Sequence, residues 1–440
     1  MHEHFRETWG VKQSDPTIDD RGQARGWCPS ALRPMQSGDG WLVRISPPRA
    51  ELRPAQAVGL AAAARRFGNG QLELSNRANL QLRGIRREQH QALLDALAHL
   101  QLLAPAEARG EPQLPVVLTP FHQEGDGQAA LAADLGAASR PMPVLPSKFG
   151  LAVDAGPQRV LAAVPADIRV ERAVDGGLML RADGAATGRP AAPAEMPRLA
   201  AAIARWFVDS GGVTAGRGRM AAHLAAGHRL PAELTGEARP APIMAPPRPG
   251  PCPGPCPGPC PGPCPGPLPG GLLVGLPFGS LAADGLERLA ATGATLRLTP
   301  WRMLLLTGPE GLQAGGLTAG PDLILDPADP LLRVSACIGR PGCTQAHGPT
   351  RPLARAIART LPEGASLHVA GCSKGCAHPG PADITLVASR DGYGVVPRGR
   401  AGDPPAYLLP RPATGAGCDP DPAFAATLAS LRDLPHEDDP

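Results

Sequence analysis

Aromatic side chains are scarce: 5 Trp, 2 Tyr and 7 Phe, 3% of 440 residues. The core must therefore be built from Ala, Leu and Val. Lysine is scarcer still, with Lys12, Lys148 and Lys374 the only lysines among 43 Lys+Arg. No lysine stands where a Walker A loop needs one, and no GxGxxG occurs, so nucleotide binding by those motifs is unsupported. No apolar run reaches the roughly 18–20 residues that span a bilayer. Met1–Lys12 has no apolar signal-peptide stretch, so a cytoplasmic protein without membrane contact is the expectation. A formal net charge of +3 gives no general attraction to nucleic acid. Hydrophobic residues at 43% and charged ones at 19% allow a sizeable core and, at this length, two to four domains.

Ten cysteines are present, and their placement says more than their number. Cys28 and Cys418 stand alone. Cys252, Cys256, Cys260 and Cys264 sit in a Pro-Gly repeat within 245–271. Proline removes amide donors and fixes φ, which points to an extended linker, and a four-residue spacing turns successive thiols away from one another on a three-residue helix. Cys337-x5-Cys343 and Cys372-x3-Cys376 are two close pairs in Gly/Pro-rich loops. Four thiolates hold zinc or an iron–sulfur cluster. Zinc sites favour shorter spacings, and the glycines let backbone amides reach cluster sulfides, so the pattern favours iron–sulfur.

One pattern occurs on both sides of the linker. Trp41–Ser46 alternates as a strand, Pro54–Phe67 reads as a helix, Gln71–Ser75 and Asn79–Gly84 as a hairpin, and Arg87–Leu100 as a second helix. Later, Gly271–Leu276, Ser280–Thr292, Ala294–Leu298 and Trp301–Thr307 read as strand, helix, strand and strand. Pairing Gly84 with Gly308 also pairs Leu80 with Leu304 and Leu82 with Leu306. The expected class is α+β with an internal duplication. The copies differ in chemistry: Arg77, Asn79, Gln81 and Arg83 share one parity, while their counterparts are Trp301, Met303, Leu305 and Thr307. Alone, such a polar row is an ordinary solvated face, but the second copy shows that the same face can be apolar. His223 with His228, and His122 with Glu124, read as ordinary histidines rather than an iron site.

SNRANLQLRGI (Ser75–Ile85), PSKFG (Pro146–Gly150) and the four paired cysteines together resemble the nitrite/sulfite reductase superfamily. Within it, GWCPSALRPMQSGDGWLVRI (Gly26–Ile45) with FGNGQLELSNRANLQLRGI (Phe67–Ile85) resembles the precorrin-3B synthase family of aerobic cobalamin biosynthesis. The similarity runs over about Gly26–Gly402 apart from the linker.

The resemblance implies a pseudo-twofold fold with these parts: an N-terminal extension (1–33), ferredoxin-like half-domains (34–105 and 268–325), an α/β domain without cluster cysteines (110–240), and a [4Fe–4S] α/β domain (330–436). It implies a monooxygenase that hydroxylates precorrin-3A with O2 and closes a γ-lactone, drawing electrons from a donor protein or other external reductant. It assigns the cluster to Cys337, Cys343, Cys372 and Cys376, and tetrapyrrole carboxylates to Arg44 and Arg77, with Asn79, Gln81 and Arg83 on the same face. Lys148 becomes the catalytic lysine. Gly150 stands in place of a second lysine, and an arginine expected in Val116–Gln128 has no counterpart. Both departures weaken the alternative, a siroheme-dependent sulfite or nitrite reductase, and leave siroheme or a further iron centre open. A third class, a non-enzymatic cluster-bearing binding protein, has no positive feature.

Overall fold

The computed structural model describes residues 29–103, 114–137, 142–244, 264–268, 270–308, 317, 320–362 and 364–411. Cys28, Cys252, Cys256, Cys260, Cys418 and most of the Pro-Gly repeat lie outside them.

The first half-domain runs β1 (Met35–Ser37), β2 (Gly40–Ile45), β3 (Glu51–Leu52), α1 (Pro54–Phe67), β4 (Gln71–Leu74), β5 (Leu80–Ile85) and α2 (His90–His99). Helix α1 opens with proline in its first turn, where no amide donor is needed, and buries Ala57, Leu60, Ala61, Ala64 and Phe67 along one stripe. The second half-domain repeats the order as β11 (Gly266–Leu268), β12 (Gly271–Gly275), β13 (Ser280–Ala282), α6 (Ala283–Ala290), β14 (Thr295–Leu298) and β15 (Met303–Thr307). Leu80 pairs with Leu74 and Leu304 with Leu298, while Leu82 faces Leu72 and Leu306 faces Leu296. The duplication inferred from Gly84 and Gly308 therefore holds residue by residue.

Two boundaries differ from the sequence reading. Ser280–Ala282, read as the start of a helix, is strand β13. Gly266–Leu268, read as linker, is edge strand β11, where Pro267 withholds no ladder bond that a second neighbour needs.

The halves exchange strands. β13 pairs with β4 of the first half, giving the sheet order β1-β2-β5-β4-β13. β3 pairs with β14 of the second, giving β11-β12-β15-β14-β3. Helices α1 and α6 pack together over one shared core that includes Val43, Leu60, Leu72, Leu82, Leu272, Leu286, Leu296 and Leu304. Each fully buried leucine contributes about 1.5–3 kcal/mol, so neither half retains its core alone.

Each half-domain is followed by an α/β module. In the first, α3 (Gln128–Ala137) lies between β6 (Val116–Leu118) and β7 (Leu151–Asp154), β8 (Ile168–Arg172), β9 (Leu178–Ala182) and β10 (Arg189–Pro190) complete the sheet, and α4 (Met196–Asp209) and α5 (Met220–Ala225) follow it. In the second, β16 (Val334–Ala336), α7 (Arg351–Ile357), β17 (Leu367–Ala370), β18 (Ala382–Ala388), β19 (Tyr393–Gly399) and β20 (Tyr407–Leu409) repeat the same parallel, parallel, antiparallel, antiparallel pairing. The matched strand ends put Thr119 where the second module has Cys337.

Candidate functional site

Cross-strand register places Arg44, Gln81 and Glu73 in one row over three strands. Because side chains alternate across a strand, that row faces away from the leucine core. With the Gln81 amide turned to satisfy its neighbours, its oxygen accepts from Arg44 Nη2 at 2.9 Å and Nε at 3.3 Å. Asn79 Oδ1 accepts from Ser46 Oγ at 2.9 Å. Arg77 Nη2 donates to the carbonyl oxygen of Lys148 at 2.7 Å. The structure thus brings the PSKFG segment of the first α/β module against the turn that leads into β5.

Arg219, which sequence reasoning missed, completes this corner. Its Nη1 donates to the same Lys148 carbonyl at 3.1 Å, its Nη2 to Ala166 O at 2.9 Å, and its Nε pairs with Asp167 Oδ1 at 3.1 Å. Asp167 is fully buried and accepts from the amides of Gly150 and Met220 at 3.0 and 2.9 Å, so one carboxylate fixes both segments. Burial raises the Asp167 pKa. Arg219 lies 71 residues from Lys148, outside every motif, and no sequence signal marked it. The Lys148 side chain is exposed. A Cβ on Gly150 would stand 3.1 Å from Pro115 O and 3.7 Å from Arg77 Nη1, so a larger side chain there is crowded at its base.

Arg83 differs from the rest of the polar row. It is 4% exposed and fully engaged. It meets both Asp39 carboxylate oxygens at 3.0 Å, Glu73 Oε2 at 3.4 Å, Ser37 Oγ at 2.8 Å and Gly342 O at 3.1 Å. All three of its nitrogens meet protein groups, which makes it an interdomain clasp. The face it shares with Gln81 is therefore not a uniform ligand-facing row. Glu73 also accepts from Arg351 Nη2 of α7 at 2.6 Å. Burial would raise the Glu73 carboxyl, but the guanidiniums of Arg351 and Arg83 reverse this and hold it below its ordinary value.

The clasp ends on the cysteine loops. The Gly342 carbonyl, next to Cys343, also accepts from Ser37 Oγ at 2.7 Å and Gly38 N at 3.1 Å. Beside Cys376, the Ala377 carbonyl accepts from Arg302 Nη2 at 3.2 Å. Cys337 follows β16 and Cys372 follows β17, and these are adjacent parallel strands, which bring the two pairs to one sheet end. Gly371 N donates to Cys337 Sγ at 3.2 Å. Cys376 opens to solvent, yet its thiol is pushed up by burial and by the proximity of Cys372, Cys337 and Cys343, against the pull of Lys374. Among the described residues, no three His, Cys, Asp or Glu side chains close around a space the size of one metal ion. Under the loop lies His368, wholly buried, with no hydrogen-bond partner at either ring nitrogen among the described residues; burial, then His378 and Arg302, pull its pKa down to about 4.

The second copy uses the equivalent face differently. Trp301 packs on Phe121 with ring centroids 6.0 Å apart, and Arg297 donates to Pro120 O at 2.9 Å and His122 O at 2.5 Å. That face docks the first α/β module. His122 is held by Glu51 and Thr119 O, at 3.0 and 2.9 Å, and His223 stacks on His228 at 3.8 Å. Cys264, at the end of the Pro-Gly repeat, is buried.

Residues 33–100 match the nitrite/sulfite reductase ferredoxin-like half domain. A precorrin-3B synthase from Sinorhizobium sp is 32% identical over 409 residues, covering 87% of this chain and 85% of that protein. The structure of the Mycobacterium tuberculosis NirA protein is similar with a TM-score of 0.62, covering 99% of this chain and 92% of that one, at 17% identity. That likeness carries the fold. Among the described residues no helix is long and apolar enough to cross a membrane.

Proposed function

The chain belongs to the precorrin-3B synthase family, an oxidoreductase family, and from that premise we propose that it hydroxylates precorrin-3A with O2 and closes the γ-lactone from a ring-A acetate. The single observation carrying this is identity of 32% that extends across both proteins rather than across one domain. One oxygen atom enters the macrocycle and the other leaves as water, with two electrons and two protons supplied from outside.

The substrate is a macrocycle ringed by carboxylates, and bidentate, permanently charged arginine suits such a partner. Arg44, on the polar sheet face, and Arg77, in the turn before β5, take carboxylates; Asn79 and Gln81 orient the ring by neutral hydrogen bonds. The exposed Lys148 ammonium, on a segment anchored by Arg77 and Arg219, donates a proton at the oxygen-bearing edge. Arg83 holds the sheet to the cysteine loop and sets the distance between substrate and electron source. Arg219 is a positioning residue acting through the Lys148 segment.

Four cysteines would hold a [4Fe–4S] cluster. The donor chemistry fits: four thiols near one another and a backbone amide already directed at one sulfur. When bound, the cluster supplies single electrons. Neither a further iron centre nor siroheme is assigned to particular residues. Crowding at Gly150, where the superfamily's second lysine is missing, disfavours the reductase reading.

The test is incubation of anaerobically purified, iron-loaded protein with precorrin-3A, O2 and a reductant, with product identified by mass spectrometry. A product one oxygen heavier that carries the lactone is expected. No hydroxylactone from fully loaded protein would reject the proposal.

A further inference from the structure

The cysteine-bearing module has a second polar feature, away from the tetrapyrrole face. A shallow hollow of about 370 Å³ is lined, among the described residues, by Arg340, His347, Arg390 and Arg411 and by no carboxylate. All four residues are exposed. Arg340 Nε donates to Ala346 O at 2.7 Å, and Arg411 Nη2 donates to His347 O and Ser389 O at 2.7 and 2.8 Å. These guanidiniums are aimed by carbonyls, which fix position without cancelling charge. Among the described residues no ion pair involves any of the four. Asp391, beside Arg390, is exposed but does not line the hollow.

Arg340 and His347 come from the loop that carries Cys343, Arg390 from the turn between β18 and β19, and Arg411 from the segment after β20. Arg340 lies between Cys337 and Cys343 in the sequence. The His347 amide donates to Gly371 O, one residue before Cys372, at 2.8 Å. The described hydrogen bonds of the four residues stay within this module, whereas the first half-domain holds the same loop through Gly342. One loop system thus presents the first half-domain's sheet with one carbonyl, and solvent with part of a positive cluster that no described carboxylate pairs.

We propose that this hollow is the docking site for the acidic face of a small one-electron carrier protein, and that electrons enter through it. The proposal rests on the cluster assignment above for its purpose, though not for the docking itself. A net charge of only +3 provides little whole-molecule attraction, so local charge must supply orientation. Redox encounters use small, charge-steered interfaces at the low end of the interface size range, and an open hollow of exposed arginines matches that class better than a buried small-anion site, which would enclose its ligand. A cluster held by the four cysteines would take up one electron per encounter as the carrier is oxidised by one, so two encounters would supply one turnover.

The experiment titrates the full chain with an oxidised, acidic [2Fe–2S] ferredoxin at low and at physiological ionic strength, then follows cluster bleaching by the reduced ferredoxin in stopped flow. Arg390→Glu is the first variant, because its side chain makes no described hydrogen bond; Arg340→Glu with Arg411→Glu is the second. Expected are a fall of about tenfold or more in the association rate at low salt and a flatter salt dependence. Reduction by photoreduced deazaflavin, a neutral small molecule, should be unchanged. Wild-type association and salt dependence in Arg390→Glu would overturn the proposal, as would pyrophosphate bound in the hollow with the ferredoxin docked elsewhere. If deazaflavin-reduced protein makes no hydroxylactone while ferredoxin still docks through Arg390, the activity fails and the docking site stands.

Discussion

The Arg83 guanidinium donates to the carbonyl oxygen of Gly342 at 3.1 Å, across 259 residues of chain. One side chain therefore ties the polar sheet of the first half-domain to the loop that carries Cys343. The half-buried neighbours Asp39 and Glu73 make this a charge network rather than a single bond.

Removing that guanidinium takes the ion-pair partner from the half-buried Asp39 and leaves Glu73 with Arg351. Arg83→Met should cost about 3–5 kcal/mol of stability, the range for breaking a buried pair from one side. Urea denaturation measures it. Iron content should fall as well, because the Cys343 loop loses its anchor.

Arg77→Leu should behave differently. A charge-assisted hydrogen bond to substrate is worth about 1.5–3 kcal/mol, so kcat/KM for precorrin-3A should fall by roughly 10- to 100-fold while iron content stays at the wild-type level. Loss of iron in this variant would move Arg77 from substrate binding to cluster support.

Cys372→Ser should abolish iron incorporation and turnover, measured by metal analysis and the visible spectrum. Serine at Cys252, Cys256, Cys260 and Cys264 together should leave both intact. The reverse pattern would transfer the cluster to the Pro-Gly repeat.

Asp154 gives a pH prediction. It is 2% exposed, and burial raises its pKa to about 6 against two backbone amide donors that lower it. Its folded pKa lies above the unfolded value, so the native state binds more protons and stability falls as pH rises from about 4 to about 6. At about 1.4 kcal/mol per unit, the two-unit gap amounts to about 3 kcal/mol. Asp154→Asn, which can still accept from the Val160 and Leu161 amides, should flatten the profile over that window in denaturation at each pH.

Much of this was legible in the sequence, and for a physical reason. Strand alternation and helix caps are local, so α1, β4, β5, β14 and β15 followed from side-chain period and proline position. Leucines repeated at matched spacing gave the duplication, and paired cysteines between glycines marked the loops that now lie together.

What sequence could not carry was pairing between distant segments. Two-residue β3 and three-residue β13 have no period of their own and exist because the opposite half offers an edge. Arg77, Gln81 and Arg83 have the same parity and the same signature, yet one meets the Lys148 segment and another is consumed by Asp39, Glu73 and Gly342. Arg219 sits in no motif. Parity fixes the face a side chain takes; which charge waits on that face depends on long-range packing, and only the tertiary structure decides it.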